Sequence, residues 1–138
     1  MFVSPYAKVG GLVWFARMVQ KIRLRADGKL PEDYQDYMGR GFDGRCVRFL
    51  GIGYDNLIER VYEGGTDDEL LKWSFDEGRR PSQEAILLWN EFVIKRGWRD
   101  SDSPDNELQE YKEHYGLGHR DDVLTYFDFF EVDEGRKP

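Results

Sequence analysis

The chain has 138 residues, 40% of them hydrophobic, 34% charged and 15% aromatic, with a formal charge of −7. That length supports one domain over 1–138 with a core that needs no disulfide or metal staple, and the apolar content excludes a disordered chain. Cys46 is the single cysteine, no apolar run approaches the roughly 20 residues of a membrane span, and Met1 to Ala7 lacks the charged and then hydrophobic order of a signal peptide, so a cytoplasmic protein is expected.

Apolar spacing is helical along nearly the whole chain and nowhere sustains the alternation of a half-buried strand, which predicts an all-α fold, a compact single-domain bundle of about six to eight helices. Gly10-Gly11 reads as the lead-in turn of a first helix from Gly11 to Ala26. At about 100° per residue, Leu12, Phe15, Ala16, Val19, Ile22 and Ala26 share a face with Arg23 among them, while Trp14, Arg17, Met18, Lys21 and Arg25 take the other side. The wheel therefore predicts an inward guanidinium, Arg23, and an outward indole framed by cations.

Asp27-Gly28 closes that helix, and Pro31 suits the first turn of a short helix through Tyr37. A glycine loop at Gly39, Gly41 and Gly44 precedes a helix from about Arg45 to Leu50, and another runs from Gly53 to Glu63. Thr66-Asp67-Asp68-Glu69 has the form of a capping box, opening a helix to about Glu77. Gln83 to Arg96 is apolar on most of its circumference and is expected to be central. Ser101 to Asn106 is the most polar stretch and reads as a flexible loop, followed by a surface helix from Glu107 to Tyr115 and a last helix from Arg120 to Phe130.

The charges divide unevenly. Residues 1–50 hold nine Lys or Arg against five Asp or Glu, net +4, and residues 51–138 hold eleven against twenty-two, net −11. The overall acidity argues against generic nucleic-acid binding, and mutual neutralisation is the simplest use of the asymmetry.

Gly39-Arg40-Gly41-Phe42-Asp43-Gly44 matches the dinucleotide pattern of spaced glycines, but Tyr34 to Met38 is no parallel strand, so no cofactor is expected. A lesser use survives, in which backbone N–H groups beside Arg40, Arg45 and Arg48 hold a phosphate or carboxylate at a helix start. A buried Arg23 demands an acid, for which Asp27, Asp43, Asp128 and Glu131 are candidates. Asn90, inside the most apolar helix, needs hydrogen bonds of its own. His114 and His119 lack the spacing of a zinc pair, so no metal is expected either.

Ordered short pieces run along the chain: Gly10-Gly11-Leu12, Ala16-Arg17-Met18, Lys21-Ile22-Arg23-Leu24, Gly28-Lys29-Leu30-Pro31-Glu32-Asp33-Tyr34, Gly41-Phe42-Asp43, Phe49-Leu50-Gly51, Trp89-Asn90, Gly97-Trp98-Arg99-Asp100 and Asp133-Glu134-Gly135-Arg136. Together they resemble a bacterial family of small uncharacterised proteins, a domain of unknown function. The resemblance implies a single bacterial domain and brings no activity, cofactor or catalytic residue with it.

Two classes of function follow. The first is a helical domain that binds a protein partner or a small anionic ligand through Trp14, Arg17, Lys21 and Arg25, or through the segment holding Arg40 and Arg45. The second is an enzyme built on Arg23, Asp27, Asp43 and Asn90, with Tyr34 as proton donor or acceptor. Convergence of these polar groups on a cavity of at least about 300 Å³ favours the enzyme, and mutual bonding in a packed cluster favours a role in holding the fold. Self-association into a homo-oligomer through the aromatic surface is a third use.

Overall fold

Residues 2–104 and 106–138 are described by the computed structural model. Met1 and Asp105 lie outside them, so the readings of Met1 to Ala7 and of Ser101 to Asn106 are met only in part. Eight helices and one short hairpin occur among these residues, the helical class that the apolar spacing predicts. The backbone divides into two units, Met1–Trp89 and Asn90–Pro138.

The first unit opens with β1 (Lys8–Val9) and β2 (Leu12–Val13), antiparallel with Val9 opposite Leu12. Gly10 and Gly11 join them at φ 56° and 82°, the two successive positive values that a tight hairpin turn requires and that glycine adopts freely. The glycine pair is thus a hairpin turn, and the helix starts later than the sequence reading placed it. Strands of two residues are too short for alternation to register.

Helix α1 (Phe15–Ala26) follows, then α2 (Glu32–Gln35), α3 (Phe42–Leu50), α4 (Tyr54–Tyr62) and α5 (Asp67–Glu77). α1 packs on β1, α4 and α5, and Phe15, Met18, Val19 and Ile22 are all but inaccessible along it. The capping box is formed: Thr66 Oγ1 accepts from the Glu69 N–H at 3.2 Å, and Glu69 Oε1 accepts from the Thr66 N–H at 3.0 Å. Helix α6 (Gln83–Ile94) contains the division between the units. Its Trp89 is buried and donates to the Val13 carbonyl at 3.2 Å, whereas Leu87 and Leu88 are 51% and 61% exposed. The expectation of a central α6 is therefore corrected, because apolar content around a helix does not by itself supply neighbours to cover it. In the first unit α1 is the helix that is buried nearly all round.

In the second unit, α7 (Glu107–His114) and α8 (Tyr126–Asp133) accompany the end of α6. Val93, Leu108, Val123, Phe127 and Phe129 form the buried apolar set, with the edge of Tyr111 on Phe129 at 4.8 Å between centroids. α8 starts later than the expected Arg120, because the Thr125 hydroxyl caps it by accepting from the Asp128 N–H at 3.1 Å. Before that cap, Arg120 donates twice to Asp122, at 2.9 and 2.8 Å. Those bonds hold the Asp122 carboxyl down from its ordinary 3.8 to about 2. A depressed folded-state value means that this pair favours the fold above the unfolded value of 3.8 and loses its contribution as pH falls toward 2. A carboxyl-carbon NMR titration is expected to place the Asp122 midpoint near 2, and a midpoint at the ordinary value contradicts the pairing. Among the described residues no helix is long and apolar enough to cross a membrane.

Candidate functional site

The first two turns of α1 carry cations inward. Arg17 and Lys21 are 1% and 4% exposed, Asp43 from α3 is wholly buried, and Trp14, which the wheel placed outside, is 3% exposed. Asp43 gathers three donors: the Trp14 indole N–H at 2.8 Å, the Lys21 ammonium at 2.8 Å and the Gly39 backbone N–H at 3.1 Å. The Trp14 ring lies against Phe42 at 4.7 Å, and both Lys21 and Arg17 face it, at 5.2 and 5.5 Å. Trp14 takes φ 76° to reach this position, a conformation that costs a non-glycine residue about 1–3 kcal/mol and persists where surrounding contacts hold it.

The outward-cation reading is thus reversed, and the cause is the segment before the hairpin. Val3 donates its N–H to Gln20 at 2.8 Å, its carbonyl accepts from Arg17 at 3.1 Å, and Phe2 lies under the Arg17 guanidinium at 5.2 Å. A wheel shows which residues share a side, not which segment lies over that side. Arg23, expected inside, is 39% exposed at its side chain and bonds Asp67 at 2.6 Å and the Gly65 carbonyl at 3.0 Å. The acid it needs exists, but it is none of Asp27, Asp43, Asp128 or Glu131.

Burial governs the chemistry of the cluster. It pulls the Lys21 ammonium below its ordinary pKa even though Asp43 opposes the shift, and it pushes the Cys46 thiol well above the usual range, with Asp43 adding to the effect. Tyr54 of α4 packs its ring on Gly39. Its hydroxyl is buried without a hydrogen-bond partner among the described residues, and burial followed by the Asp43 charge drives its pKa up, so it stays a neutral donor.

The remaining sequence candidates scatter. Asp27 is exposed, and Tyr34 is half-buried with its ring stacked on Phe2 at 4.3 Å. Arg25 and Arg40 are exposed, Arg45 is half-buried on α3, and Asn90 is half-buried on α6 in the second unit. The structure therefore brings Arg17, Lys21 and Asp43 together around Trp14 and leaves Arg23 and Asp27 apart from them. A cleft of about 280 Å³ in the second unit is lined by residues such as Arg120, Asp128, Val132 and Lys137, and of the sequence candidates only Asp128, named as a possible acid for Arg23, lines it. By the criterion of packing and mutual bonding, the Asp43 cluster holds the fold.

An exposed indole with a guanidinium beside it does occur, in the second unit. Trp98 is 49% exposed, and Arg99 lies over its ring at 5.1 Å, at φ 54°. The turn beneath them is tied down. Gly97 donates its N–H to Asp100 at 2.8 Å, and Arg96 reaches Asp100 at 3.5 Å, Asp102 at 2.7 Å and the Ser103 hydroxyl at 3.2 Å. Gly97 is required here: at φ 100°, a Cβ would come within 3.0 Å of Leu108 and 3.1 Å of Tyr126, whose N–H donates to the Arg96 carbonyl. Phe92, 46% exposed on α6, is covered by Arg96 at 5.1 Å.

Residues 1–136 match the family described as Domain of unknown function (DUF5069). The chain belongs to this family. The DUF5069 match spans both units, so the buried Asp43 cluster and the Trp98 turn both lie inside the region that defines the family. Gly97-Trp98-Arg99-Asp100 is one of the pieces that carry the family resemblance, and no role was expected of it from the sequence. The usable signal was the acid two residues past an indole, able to fold back on the preceding N–H groups, but exposure of Trp98 has no signature in composition.

Proposed function

We propose that this DUF5069 domain is a protein-binding module that engages its partner through Trp98 and Arg99. The observation that carries the reading is the half-exposed Trp98 ring with a left-handed Arg99 beside it, on a turn fixed by the Arg96–Asp100 contact. Tryptophan and arginine are the residue types that most often anchor interfaces, since an indole fills an apolar pocket and a planar guanidinium pairs a carboxylate in two places. A strained residue held by its surroundings is a pre-organised one, so little freedom remains to be lost on binding. The partner that fits presents an apolar recess next to an acidic group. The enzyme alternative would need a constellation of reacting groups, and the buried charges already bond to one another.

The test compares the tagged wild-type chain with a Trp98→Ala/Arg99→Ala variant, both incubated with extract of the cells that make the protein and analysed by quantitative mass spectrometry. The variant is expected to keep the wild-type Tm and to lose a protein that the wild type retains. Capture of the same set by both, or of nothing by the wild type, contradicts the reading. A wild-type chain whose own dimer dissolves in the variant, measured by light scattering, replaces the foreign partner with a second copy.

A further inference from the structure

We propose that the Gly39–Gly44 turn of the first unit is a separate site for a phosphate group, bound by Arg25, Arg40 and Arg48 with the Tyr54 hydroxyl as a fourth donor. The chain carries 27 acidic residues against 20 basic ones, and six of its arginines are seen matched to acids: Arg23 with Asp67, Arg60 with Glu63, Arg80 with Asp76, Arg96 with Asp102, Arg120 with Asp122 and Arg136 with Glu131. Arg25, Arg40 and Arg48 have no ion pair among the described residues, and all three border one turn: Arg25 from the end of α1, Arg40 within the turn and Arg48 from α3.

Arg25 approaches the sulfur of Met38, the residue before Gly39, at 3.9 Å. Arg40 is exposed within the turn itself. Arg48 reaches back along α3 so that its guanidinium would lie 3.0 Å from a Cβ at Gly44, beside the Gly39 carbonyl at 3.1 Å. The one acid of the turn, Asp43, directs its carboxylate inward to Trp14, Lys21 and the Gly39 N–H, leaving the cations without it.

An independent observation comes from Tyr54 of α4. Tyr54 packs on Gly39 closely enough that a Cβ there would meet its ring at 2.9 Å, and its hydroxyl is the buried side-chain polar atom without a partner among the described residues. A buried hydroxyl left without a bond is costly, and an anion oxygen is the acceptor a neutral phenol suits. Several guanidinium forks and a hydroxyl donor match a tetrahedral dianion with three or more acceptor oxygens better than a single planar carboxylate. The phosphate comes either free or as a phosphomonoester.

The experiment is calorimetric titration of the full chain with inorganic phosphate and, separately, with glycerol 3-phosphate, at ionic strength matched by potassium chloride. Amide NMR spectra are recorded alongside. Saturable binding at millimolar concentration or below is expected, with the amide shifts confined to Gly39, Gly41, Gly44 and their neighbours. Saturation by inorganic phosphate identifies the free ion as sufficient, and saturation by the ester alone identifies the phosphomonoester. Arg40→Ala/Arg48→Ala, both exposed and free of ion pairs, is expected to fold as the wild type does and to bind at least about tenfold more weakly. Tyr54→Phe is expected to weaken binding while leaving the circular dichroism unchanged. Absence of saturable binding by either probe, or equal affinity in the wild type and the double-arginine variant, overturns the site. Neither result bears on Trp98, whose partner is tested separately.

Discussion

Replacing Asp43 by alanine is expected to remove about 4 kcal/mol of folding free energy, within the 3–5 kcal/mol typical of breaking a buried charge pair by taking away one member. Asp43 is wholly buried and Lys21 nearly so, and their contact is 2.8 Å. The change leaves an ammonium in an apolar interior and strips the Trp14 indole and the Gly39 N–H of their acceptor. It also removes the contact that helps hold Trp14 at positive φ. Since small domains have only about 5–15 kcal/mol in all, Asp43→Ala is expected to be marginally folded at room temperature. Urea unfolding followed by tryptophan fluorescence measures the loss, and a change below about 1 kcal/mol contradicts the assigned role.

Gly78→Ala is expected to cost about 3 kcal/mol through overpacking and a lost backbone hydrogen bond. α5 ends at Gly78, with φ −104° and ψ −102°, where the chain presses on the end of α3. A Cβ there would overlap the Leu50 carbonyl oxygen and come within 2.9 Å of the Gly51 carbonyl group. Backbone rather than a side-chain tip occupies the space, so the two segments must separate. Separation breaks the bond from the Arg79 N–H to Leu50 at 2.9 Å and draws the Arg79 guanidinium off the Phe49 carbonyl, now 2.5 Å away. Thermal unfolding of the variant measures the effect, and an unchanged Tm shows that the close approach is not maintained in solution.

Features written in neighbouring residues were legible in the sequence. The Thr66–Glu69 capping box formed as its spacing predicts, because both bonds lie within one turn and need nothing from elsewhere. The helical class likewise follows from apolar spacing. What failed was each inference that depended on a covering segment. Trp14 and Arg17 became interior because residues near Phe2 and Val3 lie over them, and Leu87 and Leu88 stayed exposed because no described segment buries them. Asp43 was recognised as a partner for a buried cation, but the cation is Lys21 rather than Arg23. Positive φ at Trp14 and Arg99 was invisible, since nothing in a non-glycine residue type announces it. The paired glycines at 10 and 11 carried the hairpin signal, and only the brevity of the strands concealed it.

Asp43 and Lys21 act as one buried unit that pins α3 to α1. A double-mutant cycle on Lys21→Met and Asp43→Asn, read by urea unfolding, tests this directly. Asparagine at 43 keeps one oxygen, for either the Trp14 indole or the Gly39 N–H but not both, so the double variant buries no charge and shares the loss of one of these bonds with the Asp43→Asn single variant, which cancels it from the cycle. Each single variant is expected to be less stable than the double, with a coupling energy of at least about 1.5 kcal/mol. Single losses that simply add would contradict the pairing and, with it, the assignment of this cluster to holding the fold.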